Sequence, residues 1–312
     1  MRAIVISILT LAALALSACH PKPKDGRTDT FYSGRVAIAV DESLAPIIGE
    51  EVDVFEALRP EASVTPFGVT EVEAVRLLLA DSVRLAIVSR RMSPAELEGL
   101  HSRKFFPQEV KLATDGLALI TNKQNPDTLI SVADIRRVLT GRAERWKDLY
   151  PWSDLGELTL VFDNPNSGTV RFAIDSICRG DSLRGNVRAL RTNREVMDYV
   201  ARTPNAIGII GVNWMSDRND STGLSFYNEV NVMSVSAAHP ATPASGFKPF
   251  QAYLYSGQYP LARPVYAWIN DPRDGLSAGF GHFLTTDRGQ RVILKSGLVP
   301  ATQPVRLVQI AN

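Results

Sequence analysis

Alternation of short apolar strands with amphipathic helices is the feature that most constrains the fold of this chain. Val- and Ile-rich strands are predicted at Arg35–Val40 and Arg84–Ser89, and helical spacing of apolar residues runs from Leu44 to Leu58. A second strand and helix are predicted at Ser63–Pro66 and Thr70–Ala80. This alternation predicts an α/β fold with a mostly parallel sheet, helices on both faces and ligands bound at the carboxyl ends of the strands.

The same alternation continues to the end of the chain. Two strands are unusually long, at Val110–Asn122 and Arg263–Asn270. The other predicted elements are a helix beginning at Ser131, a strand at Glu157–Phe162, helices at Thr169–Cys178 and Thr192–Ala201, a strand at Ala206–Ile210 and a largely helical segment at Ser277–Ser296. Because a domain usually takes roughly 100–200 residues, a chain of 312 residues indicates about two domains.

The amino terminus has the pattern of a targeting segment. Arg2 precedes an apolar run from Ala3 to Leu16, which is short for a membrane span. The run ends in Leu16-Ser17-Ala18-Cys19, which resembles a bacterial lipobox. The resemblance implies a lipoprotein signal peptide at residues 1–18, lipidation of Cys19, a tether at 19–33 and a membrane-anchored location outside the cytoplasm of a bacterium. An ordinary secretory signal with an incidental cysteine is the alternative.

Charge and cysteine content exclude several classes of protein. The 34 Lys and Arg residues against 33 Asp and Glu give a formal net charge of +1, which argues against a nucleic-acid partner. Two cysteines exclude a disulfide scaffold, and no cluster has the spacing of metal ligands, so neither a metal nor a cofactor is expected.

An enzyme is not expected either. A catalytic role for Cys178 or Ser167 needs a nearby base, and the four histidines are not placed to supply one. The sequence before Ser167 also lacks a G-x-S-x-G elbow. Cys178 lies in an apolar helical pattern and is interpreted as a small buried hydrophobic residue.

Three predicted helix starts carry hydroxyl groups that suit an anion. They lie at Ser43-Leu44, at Thr70 and at Ser167-Gly168-Thr169. A helix amino terminus offers unpaired N–H groups and partial positive charge, and Gly168 permits close approach of the backbone. For Thr70, a capping box with Glu73 explains the residue equally well.

An ordered series of short motifs spans most of Val36 to Pro300. Its members are Val40–Pro46, Leu85–Arg90 with its terminal Ser89-Arg90 pair, Asp115–Pro126, Leu139-Thr140-Gly141 with Trp146–Leu149, Ser167-Gly168-Thr169, Asn205–Gly211, Tyr259–Pro264, Gly289-Gln290 and Gly297–Pro300. This series resembles the PstS family of phosphate-binding proteins of ABC importers. The resemblance implies a two-lobed fold of the type II periplasmic-binding-protein class, with the two long strands as crossovers. The implied lobes are residues 34–114 plus 265–312 and residues 115–264.

The family resemblance also implies partners and ligand contacts. Closure of the clamp around inorganic phosphate would be sensed by an ABC permease and ATPase complex, with the binding protein acting as a monomer. Carried over by position, the phosphate ligands are the Ser43 hydroxyl, the Leu44 N–H, the Thr70 hydroxyl and the loop of Ser167, Gly168 and Thr169. Further candidates for phosphate binding are Ser89, Arg90 and Arg171.

Two positions depart from the family pattern. Asp163 stands where the family commonly places an arginine four residues before the loop serine, and Arg90, after Ser89, stands where it places an acid that accepts the phosphate proton. Arg171, four residues after Ser167, can supply the missing guanidinium or can lie on a solvated face. Arg90 and its neighbour Arg91 can likewise line the cleft or the surface.

Another carboxylate must therefore accept the phosphate proton. Asp41 and Asp163 are candidates, although Asp41 is also explained as a turn residue. A buried acceptor would admit a protonated phosphate and reject sulfate, which has no proton to donate. Without one, another tetrahedral oxyanion such as sulfate or molybdate is an alternative ligand, and a ligand-free signalling or surface protein is a further alternative.

Overall fold

The computed structural model describes residues 27–215 and 229–304. The predictions for residues 1–18, for Cys19 and for most of the tether lie outside the described residues. The described strands are β1 (Gly34–Asp41), β2 (Ala62–Val69), β3 (Leu85–Val88), β4 (Gln108–Asn122), β5 (Leu129–Ser131), β6 (Thr159–Phe162), β7 (Val187–Ala189), β8 (Ala206–Gly211), β9 (Val230–Val232), β10 (Ser234–Ser236), β11 (Gly246–Phe247), β12 (Ala262–Ile269) and β13 (Val299–Pro300).

Helices connect most of these strands. They are α1 (Ala45–Leu58), α2 (Glu71–Leu79), α3 (Pro94–Ser102), α4 (Val132–Leu139), α5 (Gly168–Phe172), α6 (Asn193–Arg202), α7 (Gln251–Tyr255), α8 (Leu276–Phe283) and α9 (Asp287–Lys295). The predicted helix at Thr169–Cys178 is α5 followed by a π-helical turn at Ala173–Ile177. The predicted segment Ser277–Ser296 forms two helices, because Thr286 caps a new amino terminus by accepting a hydrogen bond from Gly289.

Side-chain caps explain where many of the helices begin. At each such start, a Ser or Thr oxygen accepts the N–H three residues later, and the capping residues are Thr70, Ser93, Ser131, Ser167, Thr192 and Thr286. These bonds satisfy backbone donors that have no partner within the helix. The sequence predicted the starts at Thr70, Ser131 and Thr192, whereas the start at Thr286 was not predicted.

One sheet runs through the whole molecule in the order β2-β1-β3-β12-β4-β8-β6-β7, with β13 and β9 also paired to β4. Strands β1, β2 and β3 pair in parallel, as do β6, β7 and β8. The middle of the sheet is antiparallel, because β12 pairs with β3 and β4, and β4 pairs with β8, in opposite directions. The prediction of a mostly parallel sheet is therefore wrong at its centre, where the chain leaves one half and returns to it.

Strand β4 belongs to both halves of this sheet. Its first part, as far as Gly116, lies opposite β12, and its second part, from Leu117, lies opposite β8. Strand β12 begins at the same level, where Ala262 lies opposite Gly116 and the carbonyl of Leu261 accepts a hydrogen bond from Leu117. Both long strands therefore meet at the junction of a two-lobed α/β fold, as predicted, while the numerical lobe bounds stay a prediction.

Apolar burial holds each half together. All four residues of β3 are fully buried, as a strand covered on both faces requires. Cys178 is also fully buried within the main hydrophobic cluster, in agreement with its interpretation as a small apolar residue. Within residues 27–215 and 229–304, no helix has the length and apolar character needed to cross a bilayer.

Candidate functional site

Three chain segments converge where the two halves of the sheet meet. Ser43 follows β1, Ser89 follows β3, and the loop that contains Gly168 follows β6. A Cβ atom on Gly168 would lie 2.4 Å from the Ser89 Oγ and 2.5 Å from an Asp41 carboxylate oxygen. A larger residue would clash with both, so glycine is required here for the loop of one half to touch the strand ends of the other.

A buried guanidinium underlies this junction. Arg263 on β12 is fully buried, and its Nε donates to Asp115 on β4 at 2.9 Å. Its Nη2 donates to the Ser43 Oγ at 2.8 Å, and Nη1 lies 3.4 Å from the Ser89 Oγ. Burial opposes the charge on Arg263, but Asp115 and Asp41 outweigh it and raise the arginine pKa. Arg263 therefore supplies fixed positive charge beneath two of the predicted hydroxyl ligands.

A second guanidinium crosses from one half to the other. Arg171 Nε donates to a Glu71 carboxylate oxygen at 2.5 Å, and Nη2 donates to the Ser89 carbonyl at 3.0 Å. Arg171 therefore lies in the cleft, which favours the cleft interpretation over a solvated face. Arg171 is the residue that the sequence offered in place of the arginine replaced by Asp163, and the structure brings it close to Ser89.

Glu71 accepts hydrogen bonds from Ser89 as well as from Arg171. Its second oxygen accepts from the Ser89 N–H at 3.0 Å and from the Ser89 Oγ at 2.7 Å. Burial raises the pKa of Glu71, but hydrogen bonds from Arg171 and Ser89 outweigh it and leave the pKa below its ordinary value. Glu71 is therefore an ionised, buried carboxylate at the centre of the cleft.

Asp41 has one oxygen paired and one oxygen open. Oδ1 accepts from the Ser43 N–H at 3.0 Å, whereas Oδ2 is buried and has no hydrogen-bond partner within the described parts of the chain. Burial raises the pKa of Asp41 to about 7, the charges of Glu71 and Asp163 add to the rise, and Arg263 opposes it. An acid with this pKa can accept or donate a proton near neutral pH.

Asp163 is hydrogen-bonded by the loop that follows it. The Ser167 Oγ donates to one of its oxygens at 2.6 Å, and the Asn193 side chain donates to the other at 3.2 Å. The Ser167 oxygen also caps α5 by accepting from Val170. Burial raises the pKa of Asp163 despite the bonds from Ser167 and Asn164. The Asp163 carboxylate therefore holds the Ser167 loop in place through a hydrogen bond.

Other contacts join the two halves beside the cleft. The Asn213 side chain donates to the Ser43 carbonyl at 2.8 Å, and the Trp214 indole donates to the same oxygen at 3.1 Å. The Asn193 amide donates to Glu42 at 2.6 Å. These residues were not predicted from the sequence, because their partners are more than a hundred positions away along the chain.

Buried carboxyl groups outnumber the guanidiniums in the cleft. Four carboxyl groups with no more than 1% of their surface exposed face two guanidiniums, and they are Asp41, Glu71, Asp115 and Asp163 against Arg171 and Arg263. The hydroxyl and guanidinium groups can donate to the oxygens of an oxyanion, and the carboxyl groups can bond to its protons. Among the described residues, no three or more His, Cys, Asp or Glu side chains are arranged so that they could hold a metal ion.

The family model of the PBP superfamily domain matches residues 24–288. The chain belongs to the PBP superfamily. The resemblance stated from the motifs is thereby confirmed at the level of this superfamily. Among curated relatives, the phosphate-binding protein PstS of Pseudomonas aeruginosa is 25% identical over 305 residues, covering 93% of this chain and 90% of the relative. PstS of Staphylococcus aureus is 20% identical over 285 residues, covering 89% of this chain and 82% of the relative.

Solved structures show the same PBP fold. A phosphate ABC transporter substrate-binding protein with bound phosphate from Clostridium perfringens superposes with a TM-score of 0.72 at 21% identity, covering 86% of this chain and all of the other. An ABC-type phosphate transport receptor from Vibrio cholerae gives a TM-score of 0.63 at 19% identity, with 86% and 100% coverage.

The remaining predicted site residues of this PBP-superfamily chain lie around the same junction. Leu44 is fully buried beside Ser43, and Thr169 is buried 3.4 Å from Asp163. Thr70 caps α2 by accepting from Glu73, which is the capping role that the sequence allowed. Arg90 pairs with Glu96 at 2.7 Å, and its Nε lies 3.8 Å from Glu71. Their roles as ligands stay predictions.

Arg263 and Glu71 are the main residues of the site that sequence reasoning missed. Arg263 lies inside the Tyr259–Pro264 motif, but the motif does not tell which way its side chain points. Glu71 follows Thr70 directly, and the capping pattern drew attention to Glu73 instead. A basic residue on a predicted crossover strand was the one available signal.

Proposed function

We propose that this chain is an extracytoplasmic binding protein that captures inorganic phosphate in the cleft and delivers it to an ABC permease and ATPase complex. The observation that carries the proposal is the convergence of Ser43, Ser89 and the Ser167 loop on two guanidiniums at the junction of the lobes. Membership of the PBP superfamily and the phosphate-binding relatives support it.

The proposed phosphate ligands combine the residues predicted from the sequence with Arg263. Hydroxyl donors come from Ser43, Thr70, Ser89, Ser167 and Thr169, backbone donors come from Leu44 and Gly168, and cationic donors come from Arg171 and Arg263, with Arg90 nearby. Asp41 is the favoured proton acceptor, because its open oxygen faces Gly168. Its raised pKa also suits proton exchange near pH 7.

Isothermal titration of phosphate and then sulfate tests the ligand. The protein should begin after Cys19 and be refolded from denaturant, so that any ligand is removed first. We expect phosphate binding that weakens by about tenfold or more in Ser167→Ala, because a hydrogen bond to a charged group is lost. Ser102→Ala, on the exposed end of α3, is the matched control.

The outcomes separate the candidate ligands. Equal binding of phosphate and sulfate would replace phosphate with a general tetrahedral oxyanion. No heat with phosphate, sulfate or molybdate, in protein shown to be refolded, would overturn the binding proposal and favour a signalling or surface role.

We also propose that the protein binds without catalysing a reaction. The Ser167 hydroxyl pairs with Asp163, and within the described residues no histidine is hydrogen-bonded to it as a catalytic base would be. The absence of turnover of a chromogenic phosphate ester by protein that binds phosphate is the expected result. Activity that disappears in Ser167→Ala would contradict it.

The proposed lipid anchor has its own test in the full chain. Lipidation of Cys19 predicts incorporation of labelled palmitate and recovery in the membrane fraction of a bacterial host. Both should be lost in Cys19→Ala and kept in Cys178→Ala, which removes the buried thiol instead. Labelling that survives in Cys19→Ala would exclude this anchor.

A further inference from the structure

The carboxylate of Glu71 occupies donors that the proposed ligand needs. It accepts hydrogen bonds from the Ser89 N–H, the Ser89 hydroxyl and the Arg171 Nε, at 3.0, 2.7 and 2.5 Å. Arg171 Nη2 lies 3.4 Å away as well. A hydroxyl, a backbone N–H and a guanidinium are the groups with which proteins bind phosphate oxygens. Glu71 is thus coordinated as an oxyanion would be.

We propose that Glu71 is a built-in competitor, which an oxyanion must displace from Ser89 and Arg171 in order to bind. This inference rests on the proposed oxyanion-binding function and assigns Glu71 control over its affinity. Glu71 is about 1% exposed, so its carboxylate is not a surface group that happens to point inward. It lies on α2 in one half of the molecule, whereas Arg171 lies on α5 in the other.

The donors cannot serve both anions at once. The Ser89 hydroxyl carries a single hydrogen, and that hydrogen is used by Glu71. A dianion placed against the Glu71 carboxylate in a buried cleft would also be strongly repelled. The other charged groups around the pair are Arg90, Arg263, Asp41, Asp163 and Asp175, and three of these five are carboxyl groups. Binding therefore requires that Glu71 move.

Arg90 is the group that can receive the displaced carboxylate. Its Nε lies 3.8 Å from the Glu71 oxygen that Arg171 holds, and its terminal nitrogens pair with Glu96. A rotation of the Glu71 side chain exchanges one arginine for the other without leaving a buried charge unpaired. Arg90, which stands where the family places an acid, thus stabilises the displaced Glu71 carboxylate.

Competition also makes the site selective by charge. A monoanion such as nitrate gains little by replacing another monoanion, whereas a tetrahedral dianion carries twice the charge and more acceptor oxygens. We therefore expect the exchange to favour phosphate and similar dianions over monoanions, and we expect removal of the Glu71 charge to relax this preference.

The test is a titration of phosphate into wild type, Glu71→Gln and the control Glu73→Gln, which alters an exposed carboxylate of the same helix. Gln keeps the shape of Glu71, and thermal unfolding would establish that each variant is folded. We expect Glu71→Gln to bind phosphate at least about tenfold more tightly than wild type, and Glu73→Gln to match wild type.

A double-mutant cycle with Arg90→Gln separates displacement from a general effect of charge. If Arg90 receives the carboxylate, Arg90→Gln should weaken phosphate binding severalfold in the wild-type chain and have little effect in the Glu71→Gln chain. An effect of equal size in both chains would overturn the transfer to Arg90.

The remaining outcomes are distinct. Binding by the folded Glu71→Gln chain that equals or falls below that of wild type would overturn the competitor and leave the proposed function standing. Failure of wild type and Glu71→Gln alike to bind any oxyanion would overturn both. Binding by Glu71→Gln alone would support both.

Discussion

Two arginine–carboxylate pairs lie at the cleft, and they differ in what they join. Arg263 and Asp115 are fully buried on two neighbouring strands, β12 and β4, close to the junction of the lobes. Arg171 and Glu71 lie on helices from opposite halves, and the side chain of Arg171 is 29% exposed. The first pair joins two neighbouring strands of the framework, whereas the second bridges the two halves.

The comparison teaches that burial alone does not define a role. Arg263 is held by a carboxylate on an adjacent strand, so it presents a fixed charge to Ser43 and Ser89. Arg171 is held by a carboxylate that can rotate away, so its charge is available for exchange. The Arg263–Asp115 pair therefore sets the electrostatic potential of the site, and the Arg171–Glu71 pair controls how readily an anion binds there.

The largest expected effect comes from breaking the framework pair. Asp115→Asn leaves the Arg263 charge buried without its nearest counter-ion and should lower the free energy of unfolding by about 3 kcal/mol or more. Glu71→Gln leaves a partly exposed arginine and should cost about 1 kcal/mol. Urea denaturation measures both. A loss in Asp115→Asn no larger than in Glu71→Gln would remove the distinction between the pairs.

The next effect uses Asp41, which lies between the two pairs. Its pKa of about 7 lies above the ordinary value, so the native state binds more protons than the unfolded state between about pH 4 and pH 7. Stability should therefore fall as pH rises through this window, at a rate of up to about 1.4 kcal/mol per pH unit from Asp41 alone. Glu42, whose pKa burial also raises to about 7, adds to the same fall.

Two variants check the assignment of this pH dependence. Asp41→Asn should make the fall in unfolding free energy between pH 5 and pH 8 shallower, as measured by denaturation at each pH. Glu71→Gln should move the upper end of the fall to lower pH than in wild type, because removing a neighbouring negative charge lowers the Asp41 pKa. An unchanged slope in Asp41→Asn would contradict the raised pKa.

The smallest effect comes from the exchangeable arginine. Arg171→Gln should weaken phosphate binding by about tenfold while changing the unfolding midpoint little, because Arg90, whose Nε lies 3.8 Å from Glu71, can take over the buried carboxylate. Titration calorimetry and thermal unfolding give the two values. Arg191→Gln, which removes an exposed arginine paired with Glu195, should leave both unchanged. Equal losses of affinity in these variants would contradict a place for Arg171 in the site.

Much of the fold was accessible from the sequence because local patterns set it. Helix starts at Thr70, Ser131 and Thr192 agree with capping residues, and the long strand ending at Asn122 agrees with an extended apolar run. The direction of the central strands was not accessible, since it depends on where the chain leaves and re-enters the sheet. Local pattern carries no information on that path.

The site divides in the same way. Ser43, Ser89, Ser167 and Arg171 were predicted from motifs and lie at one junction. Glu71 was missed because its partner Arg171 is 100 positions away, and no spacing rule connects them. The sequence also could not show that Asp163 bonds to the Ser167 hydroxyl, which depends on the shape of the loop between them.

The passage of β4 through both halves of the sheet has a consequence for how the molecule melts. Each half uses part of β4 as a paired strand, so unravelling either half exposes a ladder edge in the other. We therefore expect one cooperative transition on heating instead of two separate ones. An anion bound at the cleft would then raise a single melting temperature for the entire described fold.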